Sequence, residues 1–395
     1  MSLRDPSVRN VALLAACQAL AMTGMTITAT VTALVGDMLS NHGPWSTLPL
    51  AMQFTATMAT TMPASLFMRR FGRKAGFALG VVIGVAGSGM AIYAITNGSF
   101  LLFVVASIMI GTFMGFSVFY RYAAADTASE AFRPKAISLV MAGGVVAAVF
   151  GPELSKWSFE LLAPATFAGS YVAIAVVHGS ILAVLFFVDI PREKVSETGD
   201  TGRPLSEIVR QPKFLIAAVG GMIGSGVMSF IMTATPLAMI GCGLEFRDTA
   251  FVIQWHALGM FAPSFFTGSL INRFGVLRVM FVGALLLAAS VAVNLSGLEL
   301  MRFFSGLVLL GLGWNFLFIG GTTLLTETYE PAEKAKVQGL NDLLVFTTVS
   351  ASSFASGALL HLFGWQAVNL GVIPLILIVV LLIGWQRFQT ARATA

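Results

Sequence analysis

Twelve apolar runs of roughly twenty residues follow one another along this chain, and that recurrence leaves few folds open. A segment crossing hydrocarbon must satisfy its backbone within itself, so each run reads as a membrane-spanning helix. The runs cover about 10–35, 48–68, 75–96, 100–122, 136–158 and 167–188 in the first half. In the second half they cover about 213–237, 248–270, 276–296, 300–324, 337–360 and 366–386. They are numbered spans 1 to 12 below. Between spans 6 and 7 lies the longest polar stretch, 189–212, with Pro191, Lys194, Glu197, Asp200, Arg203 and Glu207 and no apolar periodicity. The chain is therefore predicted to be an all-α membrane protein of twelve transmembrane helices in two pseudo-symmetric six-helix bundles, 1–188 and 213–395, joined by a cytoplasmic linker at 189–212.

Composition agrees. Only 10% of the residues are charged and 57% are hydrophobic, whereas a soluble domain carries roughly 25% charged residues. The net charge of +5 is spread between apolar runs instead of forming a tract, which argues against nucleic acid as a partner. Cys17 and Cys242 lie in or beside apolar runs with no metal-binding spacing. The first run is too long for a cleaved signal peptide. With the N-terminus inside, only Lys156, Arg247 and Arg302 of the 23 basic residues fall outside. That bias predicts a multi-pass inner-membrane protein with an even number of spans and both termini cytoplasmic.

The halves repeat. Phe71-Gly72 after span 2 returns as Phe274-Gly275 after span 8, and Asp126, Arg133, Lys135 and Leu139 return as Glu327, Lys334, Lys336 and Leu340. Parallel six-span repeats leave a cavity between the halves. The stretch Ser65-Leu66-Phe67-Met68-Arg69-Arg70-Phe71-Gly72-Arg73-Lys74 resembles the G-x-L-a-D-r-x-G-r-k signature of the major facilitator superfamily. Ser65 stands at the first glycine and Arg69 at the aspartate; the second copy, Gly268 to Gly275, has Asn272 at the acidic position. The resemblance covers essentially the whole chain and implies transport by alternating access.

Direction is less defined. Gly143-Gly144 and Gly151-Pro152 in span 5 resemble the glycine-rich run of proton-coupled exporters, but Ser107 stands where those exporters carry an arginine in span 4. Arg121 to Asp126 and Thr326 to Pro331 look like bacterial members that include uptake systems for vitamin-sized solutes. Proton-coupled export is the first expectation, and proton-symport uptake of a metabolite or vitamin-like solute is the alternative.

Ionisable groups at membrane depth are costly unless paired or facing a polar cavity, which makes each a functional candidate. Glu153 follows Pro152 inside span 5 and is the proton-coupling candidate; the plainer reading pairs it with Lys156 at the edge. Arg69, Arg73, Lys74, Arg121, Asp126, Arg273, Glu327 and Asp342 gather near the cytoplasmic ends as gate candidates, against a reading as solvated topology signals. Gln18, Gln53, Gln254, Trp255, Trp314 and Asn315 are the substrate-binding candidates, because an aromatic-plus-amide lining suits a planar or amphipathic organic solute. Trp314 with Asn315 leads that set, with helix packing as its alternative. The threonines of spans 1 and 2 can satisfy themselves on the preceding turn. His178 and His256 either titrate or sit hydrogen-bonded in the core.

No G-x-x-x-x-G-K-[ST] loop is present, so the energy must come from an ion gradient or from the solute's own gradient. The expected partners are a small organic solute, protons and membrane lipids. No cofactor, metal or enzymatic chemistry is expected, and the chain is expected to work as a monomer. A membrane enzyme or scramblase is the remote alternative, since no clustered catalytic set appears.

Overall fold

The computed structural model describes residues 6–128, 133–190 and 202–394. Of the positions singled out above, Pro191, Lys194, Glu197 and Asp200 lie outside the described residues, as do the side chains of Arg133 and Lys135. The chain divides into two compact units, Met1–Val195 with Thr249–Gln254, and Ser196–Asp248 with Trp255–Ala395.

Unit 1 holds span 1 (Pro6–Leu39), span 2 (Leu48–Phe71) and span 3 (Arg73–Thr96). Span 4 runs over Phe100–Ser117 and continues as a separate helix, Tyr120–Thr127. Spans 5 and 6 are Arg133–Ser158 and Ala168–Phe186. The later helices are span 7 (Pro212–Gly241), span 8 in two pieces (Phe246–Phe261 and Ser264–Phe274), span 9 (Val276–Leu295) and span 10 (Leu300–Thr326). Spans 11 and 12 occupy Lys334–Gly371 and Ile373–Thr394, with two helices meeting at Gly364, whose φ is 78°.

Among the described residues nine helical stretches are long and apolar enough to cross a bilayer, and the last of them, Lys336–Gln386, covers both spans 11 and 12. Spans 2 and 8 complete about twelve. Span 2 is diluted by Gln53, four threonines and two terminal arginines, and span 8 is cut short by its break.

The repeat is visible in the backbone. Gly72 (φ 94°, ψ 153°) and Gly275 (φ 86°, ψ 148°) each end one span and begin the next. Each donates its N–H to the carbonyl four residues back, Met68 or Ile271, at 2.8 Å. Arg70 lies 5.3 Å over the Phe71 ring and Arg273 lies 5.3 Å over the Phe274 ring. Only glycine takes such positive φ values without a Cβ penalty, so the two sharp joints need glycine.

Lipid gives helices no hydrophobic reason to associate, so close approach and hydrogen bonds must hold them. In unit 1, span 1 packs on spans 5 and 6, span 2 on span 4, and span 3 on spans 4 and 6. A Cβ at Gly111 of span 4 would strike the Gln53 carbonyl of span 2, and Thr57 Oγ1 donates to the Gly111 carbonyl at 3.0 Å across that contact. Span 7 packs on spans 10 and 11, and span 9 on spans 10 and 12.

Candidate functional site

Several charges at the basic end of each bundle are paired. In unit 1 Arg73 Nη2 lies 2.5 Å from Asp126 Oδ2. Lys74 Nζ donates to the carbonyls of Phe186 (3.1 Å) and Val188 (2.9 Å), satisfying acceptors that the end of span 6 would leave without partners. Asn10 closes a two-way bond with the Asp189 backbone: Nδ2 donates to the carbonyl at 2.7 Å, and the Asp189 N–H donates to Oδ1 at 3.1 Å. Arg69 is exposed.

The equivalent acid in the second half pairs differently. Val276 stands where unit 1 has Arg73, so Glu327 takes Lys213 at 2.7 Å, from the start of span 7. Beside it the linker is bolted to the loop between spans 10 and 11. The buried Glu333 carboxylate accepts from Arg203 Nε (2.8 Å), Arg203 Nη2 (2.7 Å), the Arg203 N–H (2.7 Å) and the Glu330 N–H (3.0 Å). Gln211 Nε2 and Arg203 Nη2 both donate to the Thr328 carbonyl, and Lys336 Nζ donates to the Arg203 carbonyl. The Arg203 guanidinium, then the Glu330 N–H, hold the Glu333 carboxyl at about 2, against its ordinary 4.5. In the sequence Arg203 and Lys213 stand only among the basic residues that orient the chain, and the one local signal at Arg203 is its place between Gly202 and Pro204 in a polar linker. Asp342 accepts from Asn341 Nδ2 at 3.4 Å, while Arg273 is exposed and stacks on Phe274.

Deeper in the second half, the leading pair divides. Asn315 is buried and fully committed to the break in span 8. Its Nδ2 donates to the Met260 carbonyl (2.7 Å) and to Ser264 Oγ (2.8 Å), and its Oδ1 accepts from Thr267 Oγ1 (2.7 Å). Pro263 cannot donate an N–H to a helical carbonyl, so the break exposes backbone that a neighbouring amide must satisfy. Trp314, one residue away, points elsewhere: Nε1 donates to Ser225 Oγ of span 7 at 3.2 Å. Its ring stacks on Phe318 (centroids 4.7 Å, 15°) and meets Phe261 edge-on at 6.2 Å. Trp255 is exposed and edge-on to Phe304, and Gln254 is half-buried. Ser229 and Thr233 are engaged with Val349 and Ser353 of span 11. His256 donates from Nδ1 to the Leu307 carbonyl at 2.8 Å, as a hydrogen-bonded core histidine does.

In unit 1, Gln53 is buried, with Nε2 on Thr28 Oγ1 at 3.1 Å and Oε1 without a partner among the described residues. Gln18 likewise holds a buried, unpartnered Oε1. Thr23, Thr26, Thr28 and Thr30 donate to the preceding turn, as the neutral reading of these hydroxyls expects. His178 is neither exposed nor hydrogen-bonded among the described residues; its ring fills a notch left by Gly24 and Gly84 and lies 4.3 Å from Phe113. Glu153 is half-exposed and pairs with Lys156 at 2.5 Å, the arrangement of the edge pair. Arg121 takes no part in the Arg73–Asp126 pair; its Nη2 donates to Tyr122 Oη at 3.0 Å.

Comparison with known proteins follows the same outline. The family profile described as Major Facilitator Superfamily matches residues 14–255 and 245–394. The riboflavin transporter RfnT of Brucella anthropi is 41% identical over 373 residues, covering 94% of each chain. The MFS-type transporter YdeG of Bacillus subtilis is 30% identical, over 92% of this chain and 88% of its own. A crystal structure of the nucleoside transporter NupG superposes with a TM-score of 0.70 at 12% identity, covering 94% of this chain and 98% of the other.

Proposed function

Because the chain belongs to the major facilitator superfamily, whose members here are transporters of small organic solutes and not enzymes, we propose that it takes up a planar vitamin-like solute of the flavin class. The observation that carries this reading is the 41% likeness to a riboflavin transporter across almost the whole of both chains. The Trp314–Phe318 stack with Ser225 supports it, since flat aromatic faces and a few orienting polar groups suit such a solute. This reading prefers uptake over the export suggested by the glycine-rich run of span 5, and places both termini and the linker in the cytoplasm, where most basic residues lie.

Proton coupling is assigned to Glu153. Its exposed pair with Lys156 is of the kind worth about 0–1 kcal/mol, weak enough to open during a cycle. Purified protein in liposomes should accumulate labelled riboflavin under an inward proton gradient, and Glu153→Gln should keep exchange while losing gradient-driven accumulation. Absence of riboflavin transport in the wild type would sink the substrate reading. Equal accumulation by both proteins would remove Glu153 from the coupling.

The Arg73–Asp126 pair acts as a gate element of unit 1, holding the start of span 3 to the end of span 4 in one state of the cycle. Asp126→Asn is expected to shift the accessibility of cysteines introduced along span 4 and slow transport about tenfold, with Asp126→Glu restoring much of the rate. An unchanged accessibility pattern in a well-expressed Asp126→Asn protein would return the pair to a topology signal.

A further inference from the structure

The Arg73–Asp126 ion pair leaves Arg121, on the same short helix as Asp126, with no acidic partner among the described residues. Arg121 sits on the Tyr120–Thr127 helix, five residues before Asp126, or about 7 Å further from the basic end at 1.5 Å per residue. Its side chain is partly buried, and its interactions among the described residues are both with Tyr122: the hydrogen bond to Oη and a ring face 4.8 Å from Cζ. Its Nε is buried with no hydrogen-bond partner among the described residues. A partly buried guanidinium with a shielded donor that no described residue takes up is costly, and a ligand that completes it accounts for it. Tyr122 holds the planar fork by stacking and leaves other N–H donors unspent.

Span 1 supplies a matching feature. It packs against the Tyr120–Thr127 helix, and Ser7 Oγ donates to the Thr127 carbonyl at 2.9 Å, which sets the register of the two helices. From that bond Gln18 lies about 16 Å along span 1 and Arg121 about 9 Å along its own helix, so they differ in depth by about 7 Å. The buried Oε1 of Gln18 is an acceptor with no donor among the described residues. One fused-ring solute is long enough to offer both an oxygen acceptor and an N–H donor across that depth.

We infer that Arg121 is a solute-binding residue of unit 1, donating its unspent N–H groups to the in-plane oxygens of a planar aromatic solute, above the ion pair that gates it. This rests on the reading of the chain as a carrier of a planar aromatic solute. The oxygens are those of a ring carbonyl if the solute is neutral or of a carboxylate if it is an aromatic acid. The latter is the chemistry of the 4-hydroxybenzoate transporter PcaK of Pseudomonas aeruginosa, which is 31% identical over 183 residues, 43% of this chain and 37% of its own.

The test is equilibrium binding of riboflavin, and separately of 4-hydroxybenzoate, to detergent-purified wild type, Arg121→Gln, Arg121→Lys and Arg70→Gln. Arg121→Gln should raise the Kd of the bound probe about tenfold or more, as loss of a charge-assisted hydrogen bond does. Arg121→Lys should recover only part of it, because a lysine keeps the charge without the fork. Arg70→Gln, an exposed arginine stacked on Phe71, should bind as wild type. Binding of riboflavin by the wild type assigns the ring-carbonyl source, and binding of 4-hydroxybenzoate instead assigns the carboxylate. Wild-type affinity in a folded Arg121→Gln protein would overturn the inference while leaving the flavin reading standing. If that variant does not fold, unchanged affinity in Arg121→Lys overturns it. If the wild type binds neither probe, the flavin reading falls and this inference falls with it.

Discussion

Asn315→Leu is expected to be the most damaging single substitution in the second half of the chain, and to act on the fold before it acts on any solute. The leucine matches the volume but leaves the Met260 carbonyl, Ser264 Oγ and Thr267 Oγ1 without their shared partner at the break in span 8. The Met260 carbonyl is the buried group left stranded, at a cost of about 1–3 kcal/mol, since Thr267 Oγ1 keeps its bond to the Pro263 carbonyl and Ser264 is exposed. Asn315→Asp should fare no better, since it turns a donor to the Met260 carbonyl into a second acceptor. Trp314→Phe is the contrast: it loses the bond to Ser225 Oγ, keeps an aromatic ring on Phe318, and should fold normally while weakening solute affinity. Melting of the detergent-purified variants, read beside riboflavin uptake, separates the two. A normally melting Asn315→Leu protein with lost uptake would return Asn315 to the solute-contact set.

The clasp between linker and second half should give the next largest effect. Glu333→Gln removes a buried carboxylate that accepts four hydrogen bonds and leaves the Arg203 guanidinium against a neutral amide. Breaking one partner of such a pair is strongly destabilising, and a fall in Tm of about 5–10 °C is expected. Arg203→Ala should fall similarly, and the double variant should cost less than the two singles together. The pH dependence follows from the low folded value of Glu333. A carboxyl held at about 2, against its ordinary 4.5, contributes stability that is complete above pH 4.5 and is lost as the pH falls towards 2. The wild type should therefore lose stability through that acid window more steeply than Glu333→Gln. Parallel acid profiles for the two proteins would show that the clasp carries no such charge.

The spans were legible because lipid imposes a rule that acts on each segment alone: about 20 apolar residues with their backbone satisfied internally. Gly72 and Gly275 were legible as a repeat, and their matching backbone at φ 94° and 86° shows why the residue type recurs. Arg73 and Asp126 were legible as charges of the same cytoplasmic end, and the structure pairs them. The clasp was not, because Arg203 and Glu333 lie 130 residues apart in two polar loops that look equally solvated in one dimension. Nor was the Ser117–Tyr120 interruption of span 4, where no proline or glycine marks the joint.

Trp314 and Asn315 draw the line most sharply. Their types and their place in span 10 said that an aromatic and an amide lie at membrane depth, and nothing in their order separated them. Adjacent helical residues point about 100° apart, so one helix turned once decides that Trp314 meets Ser225 of span 7 while Asn315 meets the broken backbone of span 8. The sequence by itself determined the spans, the repeat and the family, because these depend on composition and order along the chain. Which polar groups are spent on holding helices and which, like Arg121 Nε, find no partner among the described residues was decided only by tertiary structure, because that depends on which neighbour each helix face meets.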